Sequence, residues 1–203
     1  MKVVCLDRAH GVDTKGKGSP DGTLREWKRS DEIVDLVKAG LEKRWPNEIL
    51  VVDLVPEDKD ILLTTRTARV NAICGKHGTN NVCCVSIHLN AGGDGKKWTT
   101  ATGWEVWTSP GKTKGDDLAT CLFNAARKWL PERFPMRADW SDGDPDKEEK
   151  FTILTRTKCA AALTENLFQD STKDYPFICS EEGLMAIVNL HIDGIADYFK
   201  LPR

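Results

Sequence analysis

The chain has 203 residues, enough for one domain with a substantial buried core. Its 29 basic and 31 acidic residues nearly cancel, leaving a net charge of −2 with no basic block, which argues against nucleic acid as the main partner. No apolar run approaches the roughly 20 residues of a membrane span, so no membrane-spanning helix is expected.

In chain order, Val3–Asp7 reads as a short apolar strand. The run "MKVVCLDRAH" is broken at Asp7, so a buried strand is expected there and not a secretory signal. A polar, Gly-rich loop follows from His10 to Thr23. Glu26–Trp45 has helical periodicity, with Ile33, Val34, Val37, Leu41 and Trp45 near one face. Glu48–Val55 is predicted as a second strand, Thr67–His77 as a helix and Asn81–Asn90, containing "VCCVSIHLN", as a buried strand. Thr102–Thr108, "TGWEVWT", is a short alternating strand, and Gly115–Leu130 a helix that Pro131 ends.

Residues 135–150 form a loop rich in Asp, Glu and Pro, read first as a solvated surface loop and second as a lid over a site. Phe151–Leu154 and Ala160–Phe168 read as two more apolar strands. Ser180–Phe199 is the closing helix, with Ser180 suited to its N-cap. Strands alternating with helices, several apolar throughout, imply a single α/β domain over residues 1–203. Its sheet is expected to be open, mostly parallel or mixed, of about six strands, with helices on both faces. The seven cysteines are odd in number, form no CxxC and sit mostly in apolar runs. A disulfide framework and a thiolate metal site are therefore not expected, and synthesis in the reducing cytoplasm is.

In open α/β sheets, ligands bind outside the carboxyl ends of the strands. The polar residues at such ends are Asp7 and His10 after the first strand, Ser86, His88 and Asn90 on the third, and Glu165 in "AALTENLF"; Glu26 opens the first helix. A catalytic zinc takes three His or carboxylate ligands, and a further carboxylate acts as general base on water. His10, Glu26 and His88 suit the ligand roles for one Zn2+ ion, and Glu165 suits the base. Each also has a plainer role: a polar core histidine, a turn residue, or a first-turn helix carboxylate favoured by the dipole. Glu165 is hardest to explain that way, because a carboxylate in an apolar strand is costly unless paired.

"SIHLNA" resembles the SIHxNA motif of the zinc-dependent N-acetylmuramoyl-L-alanine amidases of the amidase-3 type, which cleave peptidoglycan. "LDRAHGVDTKGKG" is similar to the family's first motif, "LTTRTARVNAICGKHGTNNVCCVSIHLNA" to its TR segment running into SIHxNA, and "AALTENLFQD" to its closing L-x-E-x-G-F segment. The resemblance implies zinc ligands at His10, Glu26 and His88, a catalytic Glu165, and hydrolysis of the amide between the muramic acid lactyl group and L-alanine. Arg8, Ala9, Val12, Asn166 and Asp170 depart from the pattern.

Trp98, Trp104, Trp107 and Trp140 are candidates to stack on a sugar, Arg156 to bind a peptide carboxylate, and Asn90 to orient His88 or the substrate. His77 and His191 read as structural. The expected partner is peptidoglycan or a muropeptide; no oligomeric state follows from the sequence. A wall-lytic amidase without a separate wall-binding domain is expected, made without a signal peptide as a phage or prophage endolysin or exported by another route. Two other readings stand beside it: a non-catalytic peptidoglycan-binding module, and a zinc peptidase or esterase acting on a different bond.

Overall fold

β1 (Lys2–Arg8), β3 (Val82–Asn90) and β6 (Ala160–Phe168) are buried along nearly their whole length in the computed structural model, which describes residues 1–202. Strands apolar on both faces belong in the interior of a sheet covered on both sides, and these three lie there. The sheet has the order β2-β1-β3-β6-β4-β5, with β2 (Ile49–Asp53) at one edge and β4 (Trp104–Thr108) with the two-residue β5 (Lys147–Glu148) at the other. β2, β1, β3 and β6 are parallel, β4 runs antiparallel to β6, and β5 is parallel to β4. The expected mixed, mostly parallel six-stranded α/β domain is therefore observed.

α1 (Glu26–Arg44), α3 (Lys114–Trp129) and α6 (Glu181–Phe199) pack on one face, over Val4, Leu6, Cys83, Val85 and Ile87. α2 (Leu63–His77) and the single turn α4 (Thr152–Thr155) cover some of the other, over Val3, Cys5, Cys84 and Leu163. Cys83 and Cys84 thus serve opposite cores, as strand alternation requires. All seven cysteines are free, and burial pushes the Cys5 thiol up to about 12. Cys5 and the other buried thiols, Cys74, Cys83, Cys84 and Cys159, are inert packing groups.

Local chemistry sets the helix ends. Thr113 and Asp116 form a reciprocal capping box at the start of α3, and Ser180 accepts from the Gly183 N–H at the start of α6. Gly194 lets α6 cross α3 closely, since a Cβ there would lie 2.9 Å from Leu122 Cα. One further turn, α5 (Tyr175–Ile178), links β6 to α6. Among the described residues no helix is long and apolar enough to cross a membrane.

Two expectations are corrected. Phe151–Leu154 is not a strand: Thr152–Thr155 is a helical turn with Ile153 and Leu154 both buried beside α2, and the edge position beside β4 is taken by Lys147–Glu148. α2 also starts at Leu63, four residues before the predicted Thr67. The 135–150 loop is only partly solvated, for it contains β5 and buries Asp146.

Candidate metal centre

β1 ends at Arg8, and the chain then turns sharply through His10, whose φ of 60° is left-handed. Gly11 permits the close passage of the 59–60 segment, since a Cβ there would lie 2.0 Å from the Asp60 backbone nitrogen. Buried Ser30, one turn into α1, accepts from the Ala9 N–H at 2.9 Å and donates to the Ile87 carbonyl at 2.7 Å. One hydroxyl thus ties together the neighbours of His10 and His88 beneath Glu26.

The outcome is a cluster in which one ligand atom each from His10, Glu26 and His88 lie within 4.8 Å of one another. His10 Nε2 is 3.4 Å from Glu26 Oε2, and His88 Nδ1 is 3.1 Å from Glu26 Oε1. The imidazoles meet edge to face with centroids 5.2 Å apart. Glu26 is held from behind as well: the Leu89 N–H donates to Oε1 at 3.2 Å and Gln169 Nε2 donates to Oε2 at 2.8 Å. Burial alone would raise the Glu26 carboxyl, but hydrogen bonds to His10 and His88 outweigh it and hold the group well below the ordinary carboxylate range. A buried carboxylate kept ionised between two imidazoles, with all three donors convergent, is a donor set suited to a divalent transition metal.

Glu165 stands beside this cluster, in register with His88 on β3 and with Glu105 on β4. Its Oε2 is buried without a hydrogen-bond partner. Burial, with the charges of Glu26 and Glu105, pushes its carboxyl well above the ordinary value, and Lys17 offsets some of this. Glu105 sits in a different setting: Arg137 Nε and Lys147 Nζ each approach its Oε2 at 2.7 Å and outweigh the effect of burial, holding it low. A cavity of about 350 Å3 opens against the cluster, with Asp7, His10, Arg66, Ser86, His88 and Phe151 among its walls.

The remaining candidates are distributed differently. Asn90 donates to Glu105 Oε1 at 2.8 Å, so its amide faces Glu105 and not His88. Trp104 is corrected to a core residue: it is fully buried, and its indole N–H donates to Asn166 Oδ1 at 2.8 Å. Trp107 points the other way, with its ring against Phe151 and Lys147. Trp98 packs on Tyr175, and exposed Trp140 packs on Phe123, outside the cavity walls. Arg156 is exposed at the end of α4, also outside the cavity, and its carbonyl accepts from Asn71. His191 is buried between Thr164 Oγ1 and the Ile187 carbonyl, and burial lowers it to about 4. Sequence reasoning passed over Gln169, Arg66 and Glu105. Only Arg66 carried a signal, as the arginine of the "LTTRTAR" segment.

A family model described as N-acetylmuramoyl-L-alanine amidase matches residues 4–197. The chain is 27% identical over 206 residues to the N-acetylmuramoyl-L-alanine amidase CwlM of Bacillus licheniformis, covering 100% of this chain and 71% of that protein. It is 27% identical over 208 residues to the endolysin of Bacillus phage SPP1, covering 100% and 68%. The crystal structure of an N-acetylmuramoyl-L-alanine amidase from Clostridium difficile 630 superposes with a TM-score of 0.82 over 100% of this chain and 98% of that one. At 24% identity that likeness speaks for the fold alone.

Proposed function

The chain belongs to the amidase-3 family of N-acetylmuramoyl-L-alanine amidases and is an amidase acting on peptidoglycan, and on that premise we propose a zinc-dependent reaction at the His10–Glu26–His88 cluster. The bond cut is the amide between the muramic acid lactyl carbonyl and the L-alanine nitrogen. The observation that carries this reading is the three-donor cluster with Glu165 in register beside it. Two imidazoles and one carboxylate, all partly or wholly buried, fit zinc and leave room for a fourth position.

When bound there, zinc supplies Lewis-acid polarisation of the carbonyl and lowers the pKa of water. The chain's residues do the rest. Glu26 is fixed by Leu89 and Gln169 so that both its oxygens stay aimed between the histidines. Glu165 takes one proton from water as the new carbon–oxygen bond forms, then passes it to the alanine nitrogen as the carbon–nitrogen bond breaks. The unpartnered Oε2 of Glu165 is free for that exchange. With a cation among the donors, Glu165 would be held ionised against the burial that raises it, and so able to accept that proton.

The 1–203 chain acts as one catalytic domain in this reading, and the setting we favour is a phage or prophage lysin reaching the wall on lysis. The likeness to the phage SPP1 endolysin supports it. Metal analysis of the purified protein, with mass spectrometry of digested peptidoglycan, tests the reaction. One zinc per chain and new L-alanine amino termini on intact glycan are expected. Cuts within the stem peptide would indicate a peptidase, and zinc-loaded protein that binds the wall but leaves it uncut would indicate a binding module.

A further inference from the structure

Beneath the donor set runs a second buried polar cluster, made of Asp7, Ser86 and Arg66, exposed by 1%, 0% and 2%. Arg66 Nη1 donates to Asp7 Oδ1 at 2.8 Å, and Ser86 Oγ donates to Asp7 Oδ2 at 2.6 Å. The other nitrogen of His88, Nε2, lies 3.1 Å from Ser86 Oγ. The same guanidinium also donates to the backbone carbonyls of Arg8 and Ile61 and, at 3.4 Å, to that of His10, with Asp60 Oδ1 at 2.8 Å.

We infer that Asp7 and Ser86, anchored by Arg66, are positioning residues that favour a hydrogen on His88 Nε2, against the pull of the Glu26 carboxylate 3.1 Å from Nδ1, and so free Nδ1 for the metal. This rests on the reading of His88 as a zinc ligand through Nδ1. A serine hydroxyl has a single hydrogen, and a carboxylate can only accept. The short bond to Asp7 therefore commits that hydrogen to Asp7 and turns the lone pairs of Ser86 toward His88. A lone pair facing Nε2 is satisfied only when Nε2 carries hydrogen. Metal-binding imidazoles are oriented in this way when their second nitrogen donates to a fixed acceptor. The plainer alternative is a structural ion pair that only fastens β1 to α2.

Asp7→Asn separates the two, because it keeps the shape and reverses the polarity. Arg66 would hold the amide oxygen, leaving the amide nitrogen to donate to Ser86. Ser86 would then turn its own hydrogen onto His88 Nε2, displacing the imidazole hydrogen to Nδ1 and closing the ligand position. The wrong tautomer costs function even where geometry is intact. Ser86→Ala, by contrast, only removes the acceptor.

The test measures zinc dissociation constants by chelator competition and the Nε2 hydrogen of His88 by nitrogen-15 NMR at fixed pH, for the parent, Ser86→Ala and Asp7→Asn. Thermal unfolding of the metal-free proteins reports folding. Zinc binding is expected to weaken roughly 10–100-fold in Ser86→Ala. It should weaken at least as much in Asp7→Asn, where the Nε2 hydrogen is also lost. Folded variants that bind zinc as the parent does and keep that hydrogen would overturn the inference; should Asp7→Asn not fold, unchanged affinity in Ser86→Ala does so alone. A parent that binds no zinc overturns the proposed function instead; a smaller Nε2-hydrogen population in metal-free Asp7→Asn than in the metal-free parent then still supports the inference, and an unchanged population overturns it.

Discussion

Glu26, buried, and Glu165, partly buried, are two carboxylates in the same small volume, and their surroundings push them in opposite directions. Glu26 faces two imidazoles, a backbone N–H and an amide, whereas Glu165 faces two other carboxylates and leaves one oxygen without a partner. Environments that drive a pair of titratable groups apart in this way assign distinct roles to chemically alike residues. Glu165→Gln keeps the size and removes the proton exchange. Turnover should fall by about 10²–10⁴-fold or more, while zinc content measured by elemental analysis stays near one per chain. A variant that loses its zinc would make Glu165 a ligand. Three of the five departures from the family pattern are also intelligible residue by residue. Arg8 pairs with Asp35 and Asp53, Asn166 accepts the Trp104 indole hydrogen and donates to the His88 carbonyl, and Asp170 accepts the N–H groups of Gly92 and Gly93 at 2.8 Å. Each serves the local frame, and none takes a ligand position.

At the scale of elements, the 135–150 segment is more firmly held than its composition suggests. Arg137 and Lys147 fasten it to Glu105 on β4, and Asp146 accepts from Thr108 Oγ1 at 2.5 Å. The Oδ1 atoms of Asp144 and Asp146 are both buried without a hydrogen-bond donor. Burial, with the neighbouring Asp144, raises Asp146 from 3.8 to about 7. A folded-state value above the unfolded one means that the native chain holds the proton longer. Stability from this group is therefore lost as pH rises from about 4 to about 7, and the penalty is constant above that. Asp146→Asn mimics the protonated form, keeping an acceptor for Thr108 and offering a donor to Asp144. With chelator present, denaturant unfolding should show a stability gain of the variant over the parent that widens between pH 5 and pH 8, by on the order of 2 kcal/mol. An equal gap at both pH values would show that Asp146 does not hold the proton. The same segment marks where sequence reading loses grip. Continuous apolar runs located β1, β3 and β6 because interior strands are buried on both faces. Four residues such as Phe151–Leu154 fit a strand or a helical turn equally, and tertiary contacts decide. In β4 both alternating sets carry a tryptophan, so the phase that buries Trp104 and turns Trp107 toward Phe151 depends on partners distant in sequence.

Across the whole molecule, the donor set was legible because the fold places it at strand ends, where polar residues interrupt apolar runs. Its supports were not. The bonds from Gln169 to Glu26, from Arg66 to Asp7 and from Ser30 to the Ile87 carbonyl span 143, 59 and 57 residues, and no local pattern announces them. The donors themselves come from three separate pieces of the fold: the turn after β1, the first turn of α1 and the end of β3. A metal held by all three binds the native state and not the unfolded chain, so it should stabilise the entire domain by mass action. At free zinc one hundred times the dissociation constant, that linkage is about 2.7 kcal/mol. For a domain of this size it corresponds to a rise in Tm of roughly 5–10 °C. Calorimetry with and without a chelator measures the shift in the parent, in Glu165→Gln and in His88→Ala. Parent and Glu165→Gln should rise together, because Glu165 is not needed to hold the ion, and His88→Ala should rise far less. A shift that survives intact in His88→Ala would place the stabilising zinc elsewhere in the chain and detach it from the cluster to which the chemistry is assigned.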